Sequence, residues 1–370
     1  MATRPGLIRR ANHWRLNKCR KLRSAVLLKW YEFAYAKRRP HYPISELPKC
    51  HSLILMMLRT GLGDAIVMSG FINALRQSGR EVHCICNSRT AVILSEMIDT
   101  DGVYVLPNRP SRKDVLKLNL ACDGVIIFLD PEKRLLEDIK VLTAIKHRFA
   151  IGFNQKLSVF FDLNIIRDEI GCHWTERLKD GAKQLGVVID DYKYDLHFSP
   201  DCLRDVDEFV KELGPQGFVL FNPIASDKFR SLSPEIVRST IDYLTHHSSH
   251  RIVVFNVTDA TLRRDYPQVI FTPFAELDRC LALVGRCACL ITVDTSFVHA
   301  ARFFDVPMIG IYNNRLSFGR YDNNVQWGPG YAKALQVFSL DHDQTETGDD
   351  LRRLPFEVLK QAMEQYPAVH

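Results

Sequence analysis

The chain has 370 residues, too long for one ordinary core and suited to two domains of roughly 150 residues each. A composition of 46% hydrophobic and 25% charged residues is that of a soluble globular protein, and no apolar run approaches the ~20 residues of a membrane-spanning helix. The net charge of +6 hides an asymmetry: residues 1–41 carry twelve Lys/Arg against Glu32 alone, a local net of +11, while the remainder is net −5.

The first predicted element is a helix over residues 16–34, where Cys19, Leu22, Val26, Trp30 and Phe33 recur at helical spacing with Lys and Arg between them. An amphipathic helix with aromatic anchors and a cationic flank reads as an interfacial membrane binder, each Lys/Arg contributing ~1 kcal/mol near an anionic leaflet. The bland alternative is a helix packed on the body with its charges solvated. The apolar stretch Ala25–Leu28 is too short for a signal-peptide core, so the chain is expected to be unexported. Ten cysteines without a C-x2-C pair fit reduced, buried thiols rather than a zinc ribbon.

From residue 52 onward the pattern becomes strand–helix alternation. Strands are predicted at Leu53–Leu58, Glu81–Cys86, Val103–Leu106, Gly124–Leu129 and Arg148–Ile151, with helices near 65–79, 89–98, 111–119 and 132–146. After a helix at His173–Leu185 and a polar stretch at Asp190–Asp201, a second series begins. Its strands are Phe218–Phe221, Arg251–Val257, Val269–Phe271, Cys289–Val293 and Met308–Tyr312, with helices near 234–247, 275–286, 297–304 and 351–364. Strands alternating with helices of this length imply βαβ units and parallel sheets. The chain therefore reads as α/β: two doubly wound Rossmann-like domains after a basic helix, with ligands expected at the carboxyl ends of the strands. The expected divisions are 1–45, 46–190, 191–345 and 346–370, the last a helix free to pack back on the first domain.

Three loops carry candidate chemistry. Thr60-Gly61-Leu62-Gly63-Asp64 lies where the first strand passes into a helix; it fits neither the dinucleotide fingerprint nor the G-x-x-x-x-G-K-[ST] phosphate loop. A carboxylate at that helix mouth is either an N-terminal cap or a catalytic group. Asp294-Thr295-Ser296, with His299 one turn on, again marks a strand running into a helix, whose N-terminal amides suit a diphosphate. Asn222-Pro223 leads through Lys228 and Arg230 to a Ser233-Pro234 helix start, placing cations where they would meet phosphate oxygens.

In this order and spacing the three motifs resemble glycosyltransferase family 9, the bacterial lipopolysaccharide heptosyltransferases, over about residues 52–330. Gly63-Asp64 matches the family's GD signature. Asp294, Thr295 and His299 match its Asp-Thr-x-x-x-His element, and Arg230, or Lys228 in another alignment, matches its basic residue before an SPE-type helix start. The resemblance implies a GT-B fold, with an acceptor-binding domain over 46–190 and a nucleotide-sugar-binding domain over 191–345. It also implies an ADP-heptose donor, a lipid A-linked acceptor, no cofactor or metal, and Asp64 as general base beside acceptor-loop residues Thr60, Gly61 and Gly63. Lys228, Arg230, Asp294, Thr295, Ser296 and His299 fall to the donor and its diphosphate.

Two departures stand out. Ser296 replaces a glycine common in the family, and Asp259 stands where a ribose-binding Glu is common. The pairs Asp99/Asp101 and Asp341/Asp343 mimic a metal-binding DxD motif without the preceding strand, and His246, His247 and His250 read as a polar loop. Expected partners are the nucleotide-sugar, a lipid-linked saccharide and, through residues 1–41, an anionic membrane, placing the protein peripherally on the cytoplasmic face of a bacterial inner membrane. The alternatives are another nucleotide sugar or a capsule or protein acceptor on the same fold and, from a different class, a nucleic-acid binder using the basic arm. The net-acidic remainder shows no recognition module, so no nucleic acid is expected.

Overall fold

The computed structural model describes residues 7–36, 40, 42–127, 135–153, 158–165, 172–255, 260–317, 321–339, 345 and 347–370. In chain order the first half forms α1 (Leu7–Ala36), β1 (Ser52–Met57), α2 (Leu62–Gln77), β2 (Glu81–Cys86), α3 (Ser88–Glu96), β3 (Gly102–Val105), α4 (Arg112–Lys117), β4 (Ala121–Ile127), α5 (Leu135–Leu142), β5 (Lys146–Phe153), β6 (Leu163–Ile165) and α6 (Trp174–Gln184). The second half forms α7 (Pro200–Leu213), β7 (Phe218–Asn222), α8 (Pro234–His247), β8 (Arg251–Val254), α9 (Ala260–Asp265), β9 (Ile270–Phe271), α10 (Leu277–Val284), β10 (Cys289–Val293), α11 (Ser296–Phe304), β11 (Met308–Tyr312), β12 (Leu316–Ser317), β13 (Tyr321–Asp322), α12 (Asn323–Trp327), β14 (Ala334–Phe338) and α13 (Phe356–Gln365). All the anticipated strands are present, with ends shifted by up to three residues among the described residues; the anticipated ends at 128–129 and 256–257 lie outside them.

The chain divides into two compact units: Met1–Arg59, Arg80–Asn87 and Tyr104–Arg167 form the first, and Thr60–Gly79, Ser88–Val103 and Asp168–His370 the second. The first carries the six-stranded sheet β3-β2-β1-β4-β5-β6. β1 is apolar from Leu53 onward because both faces are covered: Leu53 to Met57 are all buried, and β1 pairs in parallel with β2 and β4. Ile54, Met56, Val125, Ile127, Phe149's neighbour Ala150 and Phe160 share one core, onto which Leu28, Tyr31 and Tyr35 of α1 pack. Each fully buried aliphatic or aromatic side chain there contributes roughly 1.5–3 kcal/mol.

The second unit carries the sheet β14-β11-β10-β7-β8-β9, every pair of which is parallel. β7 runs on into β8 and β9 on one side, while β10 and β11 lie on the other, so the direction of winding reverses between β7 and β10. The crevice at such a reversal, outside the carboxyl ends of the strands, is where open α/β sheets bind ligands. The closing helix α13 packs against α8 and β14 and contributes Leu359, Ala362 and Met363 to this unit's core, where the sequence left open a return to the first domain.

By its contacts α2 also belongs to the second unit, and the segment Tyr192–Asp195 straps it. The Tyr192 hydroxyl donates to Val67 O at 2.6 Å and accepts from Phe71 N–H at 2.8 Å, and Asp195 N–H donates to Ser69 Oγ at 2.8 Å. A side chain at Gly70 would meet Lys193 O at 2.0 Å, so only glycine admits the strap. Among the described residues no helix is long and apolar enough to cross a membrane.

Candidate anion site at the carboxyl ends of the second sheet

Three loops leave adjacent strands and converge. The loop after β7 carries Arg230, the β10–α11 turn carries Asp294 and Thr295, and the loop after β11 carries Arg315. Arg230 Nη1 donates to Asp294 O at 2.8 Å and to Asp294 Oδ2 at 3.2 Å, while Arg315 Nη2 lies 3.5 Å from the same carboxylate oxygen. Asn323 Nδ2 donates to it as well, at 3.3 Å. Asp294 thus acts as a hub: only 6% exposed, it aligns two guanidinium groups that would otherwise repel. Lys228 sits elsewhere, exposed, with its ammonium over the ring of Phe229 at 5.3 Å. Of the two candidate cations, Arg230 is the one beside Asp294.

Thr295 is the N-cap of α11, its hydroxyl accepting from Phe297 N–H at 3.4 Å and from Asn222 Nδ2 at 3.2 Å. Ser296 is the first helical residue, so the cap belongs to the threonine. His299 is buried one turn later, edge-on to Tyr194 at 6.1 Å. Burial, with the nearby charges of His173 and Arg302, pushes its imidazole down to about 3, so it is neutral at physiological pH. Asp259 lies outside the described residues.

α2 meets α11 at the same place. Gly63, in the first turn of α2, lies so close to His299 that an added Cβ would stand 2.8 Å from its Cδ2 and 3.6 Å from the Cα of Ser296. The glycine's close approach is therefore to another helix of the protein. Asp64 follows it, and its Oδ2 accepts from Gly61 N–H at 2.6 Å, closing the N-terminus of α2. Burial raises the Asp64 carboxyl above its ordinary value; the Gly61 N–H, Arg315 and Arg230 act against that shift, and Asp294 reinforces it. Asp64 therefore caps its helix and also shares the electrostatic field of both arginines. One hydrogen bond does not exhaust a carboxylate, which has about four lone-pair sites. Thr60 is buried just before this turn.

Among the described residues, the buried polar atoms without a hydrogen-bond partner include Arg230 Nε, Arg315 Nε and His299 Nδ1. Buried donors are normally satisfied, so orphans grouped around one crevice point to a ligand that supplies acceptors. Two guanidinium groups and the N-terminus of α11 suit an anion with several oxygens, such as a diphosphate.

Arg315 has no place in the sequence reading, although it is the first cation after β11, as Lys228 and then Arg230 follow β7. Its backbone is held by a polar cage. Asn313 Nδ2 donates to Thr347 O at 2.8 Å, Asn314 Nδ2 donates to Ser339 O at 2.7 Å, and Asp349 N–H donates to Asn313 O at 2.7 Å. Asn314 has φ +51° and Gly348 φ +66°, and a side chain on Gly348 would meet Asn313 O at 2.2 Å.

The acidic pair Asp99/Asp101 is a structural clamp, both carboxylates binding Arg76 at the end of α2. Asp341 and Asp343 lie outside the described residues. His246, His247 and His250 each engage a backbone carbonyl through Nδ1. Among the described residues no group of three or more His, Cys, Asp or Glu is placed to hold a metal ion.

No family model matches the chain. It is 23% identical over 306 residues to a protein of Escherichia coli K12 provisionally named lipopolysaccharide heptosyltransferase 4, covering 80% of this chain and 84% of that one. A glycosyltransferase family 9 structure from Veillonella parvula superposes with a TM-score of 0.67 at 18% identity, over 88% of this chain and 98% of that one. The E. coli heptosyltransferase WaaC with ADP gives 0.62 at 17% identity, over 85% and 99%. The E. coli ADP-heptose lipopolysaccharide heptosyltransferase II gives 0.59 at 14% identity, over 84% and 97%. The fold is accordingly the GT-B type of α/β glycosyltransferases. More narrowly, the relatives comprise a family 9 glycosyltransferase and lipopolysaccharide heptosyltransferases, the same family that the sequence resembles.

Proposed function

We propose that this chain is an inverting, metal-independent glycosyltransferase that moves a heptose from ADP-heptose to a lipid A-linked, lipopolysaccharide inner-core acceptor. The observation that supports it most is the set of orphaned buried donors, Arg230 Nε and Arg315 Nε, flanking the N-terminus of α11. Transfer from a nucleotide-sugar needs the departing diphosphate stabilised and the acceptor hydroxyl deprotonated. Arg230, Arg315 and the amides beginning at Ser296 do the first by fixed electrostatics. Lys228, exposed and turned to Phe229, contributes little.

Asp64 does the second. Its raised carboxyl makes it a stronger base than an ordinary aspartate, and the Gly61 N–H fixes its position. Asp294 acts indirectly, orienting the arginines, and neutral His299 supports the turn beneath Gly63. Residues 46–190 are assigned to the acceptor and 191–345 to the donor. α1 holds the enzyme peripherally on the cytoplasmic face of an anionic inner membrane, since Leu22, Val26, Trp30 and Phe33 form an exposed apolar stripe in a segment of net charge +11.

A thermal-shift screen of nucleotides and nucleotide-sugars tests the donor. Stabilisation by ADP and ADP-sugars above their uridine and guanosine counterparts is expected. A uridine preference would move the chain to another sugar on the same fold, and no response to any nucleotide would remove the transferase reading.

A further inference from the structure

α1 has two faces. Tyr31 and Tyr35 turn inward, the Tyr35 ring 5.4 Å from Phe160 and its hydroxyl 2.6 Å from His147 Nε2. Leu22, Val26, Trp30 and Phe33 turn outward, 69, 62, 59 and 61% exposed. Between the helix and the start of β5 lies a pocket of about 510 Å³, a size that accepts a small ligand. Trp30, Tyr31 and Tyr35 line one side of it, and Arg112 and Lys146 supply charge on the other.

The lining is selective. His147 also borders the pocket, but Ile145 O and the Tyr35 hydroxyl engage both its ring nitrogens, so it fixes Tyr35. Arg112 and Lys146 are exposed and form no ion pair among the described residues, and no carboxylate is among the pocket's described lining. A pocket with an aromatic wall and unpaired cations matches an amphiphile with an anionic head. Trp30 belongs both to the pocket and to the outward stripe, so the stripe that would enter a bilayer borders the pocket. Amphipathic aromatic rings favour that headgroup level.

We propose that this pocket seats one anionic bilayer phospholipid, its phosphate between Arg112 and Lys146 and the first carbons of its chains against Trp30, Tyr31 and Tyr35. The proposal rests on the membrane-facing reading of α1 and is independent of the sugar-transfer reaction. It makes the helix a reader of lipid charge as well as an apolar anchor.

The test is calorimetry of the full chain with dihexanoyl-phosphatidylglycerol below its aggregation concentration, where no bilayer exists. Saturable binding of one lipid per chain is expected, weakened about tenfold by Lys146→Glu or Arg112→Glu and lost in Ala34→Trp, which fills the pocket. Circular dichroism should show each variant folded; Lys146→Glu, at an exposed site, carries the result if Ala34→Trp does not fold. Replacing Leu22 and Val26 by serine should release the protein from phosphatidylglycerol vesicles while leaving short-chain lipid binding intact, separating pocket from stripe. Equal affinity for dihexanoyl-phosphatidylcholine, inorganic phosphate binding as well as the lipid, or indifference to Lys146→Glu would each overturn the proposal, as would no binding at all.

Discussion

Gly63→Ala tests how closely α2 and α11 are fitted. The new methyl would lie 2.8 Å from His299 Cδ2 and 3.2 Å from its Nε2. The ring has little room to yield, being 5% exposed and set against Tyr194. Overpacking of this kind costs about 1–3 kcal/mol, while alanine in a helix regains up to about 1 kcal/mol over glycine. The net expectation is a loss of about 1 kcal/mol, read as a lower urea midpoint with an unchanged slope. The same shift would carry Asp64 away from Arg315, so transfer should fall further than stability does. His299→Ala is destabilising alone but removes the obstacle, so adding Gly63→Ala to it should cost nothing or stabilise. Additivity of the two changes within about 0.5 kcal/mol would refute the close fit.

Two further outcomes follow from the site. Arg315→Met should weaken ADP binding about 10–100-fold, the loss of one charge-assisted hydrogen bond or two, whereas Lys228→Met should change it less than about threefold; equal effects, measured by calorimetry, would return the assignment to Lys228. The second concerns pH. Burial holds His299 at about 3 and His173 at about 4, against an ordinary 6.5. Below 6.5 the unfolded chain takes up protons that the folded one refuses, so stability falls as pH drops through that value. The loss reaches about 2 kcal/mol per histidine at pH 5. His299→Gln should remove about half of the decline in urea stability between pH 7 and pH 5, and an unchanged decline would contradict this.

Much of this architecture is legible in the chain because local patterns carry it. β1 from Leu53 onward is a continuous apolar run and β10 is broken only by the buried Thr292, the pattern of parallel strands covered on both faces. Asp294-Thr295-Ser296 reads as a strand running into a helix because the cap is a short-range device. The spacing of Leu22, Val26, Trp30 and Phe33 likewise gives the exposed stripe of α1. Other features depend on distant partners. The requirement for glycine at position 63 is set by His299, and the place of Arg315 by a cage joining Asn313 and Asn314 to Ser339, Thr347 and Asp349. No local pattern announces either. α7 is a different case: its Ser199-Pro200 start repeats the signal of Ser233-Pro234, but the polar stretch before it reads as a linker.

The most direct test is Asp64→Asn in a single-turnover assay with ADP-heptose and a lipid A-linked acceptor. Asparagine keeps the side chain's size and an oxygen to accept the Gly61 N–H, so the cap and the fold should survive, with ADP bound no more weakly than before. Only the base is lost. Transfer slower by about 10²–10⁴-fold is expected; transfer at the unsubstituted rate would leave Asp64 a helix cap and nothing more.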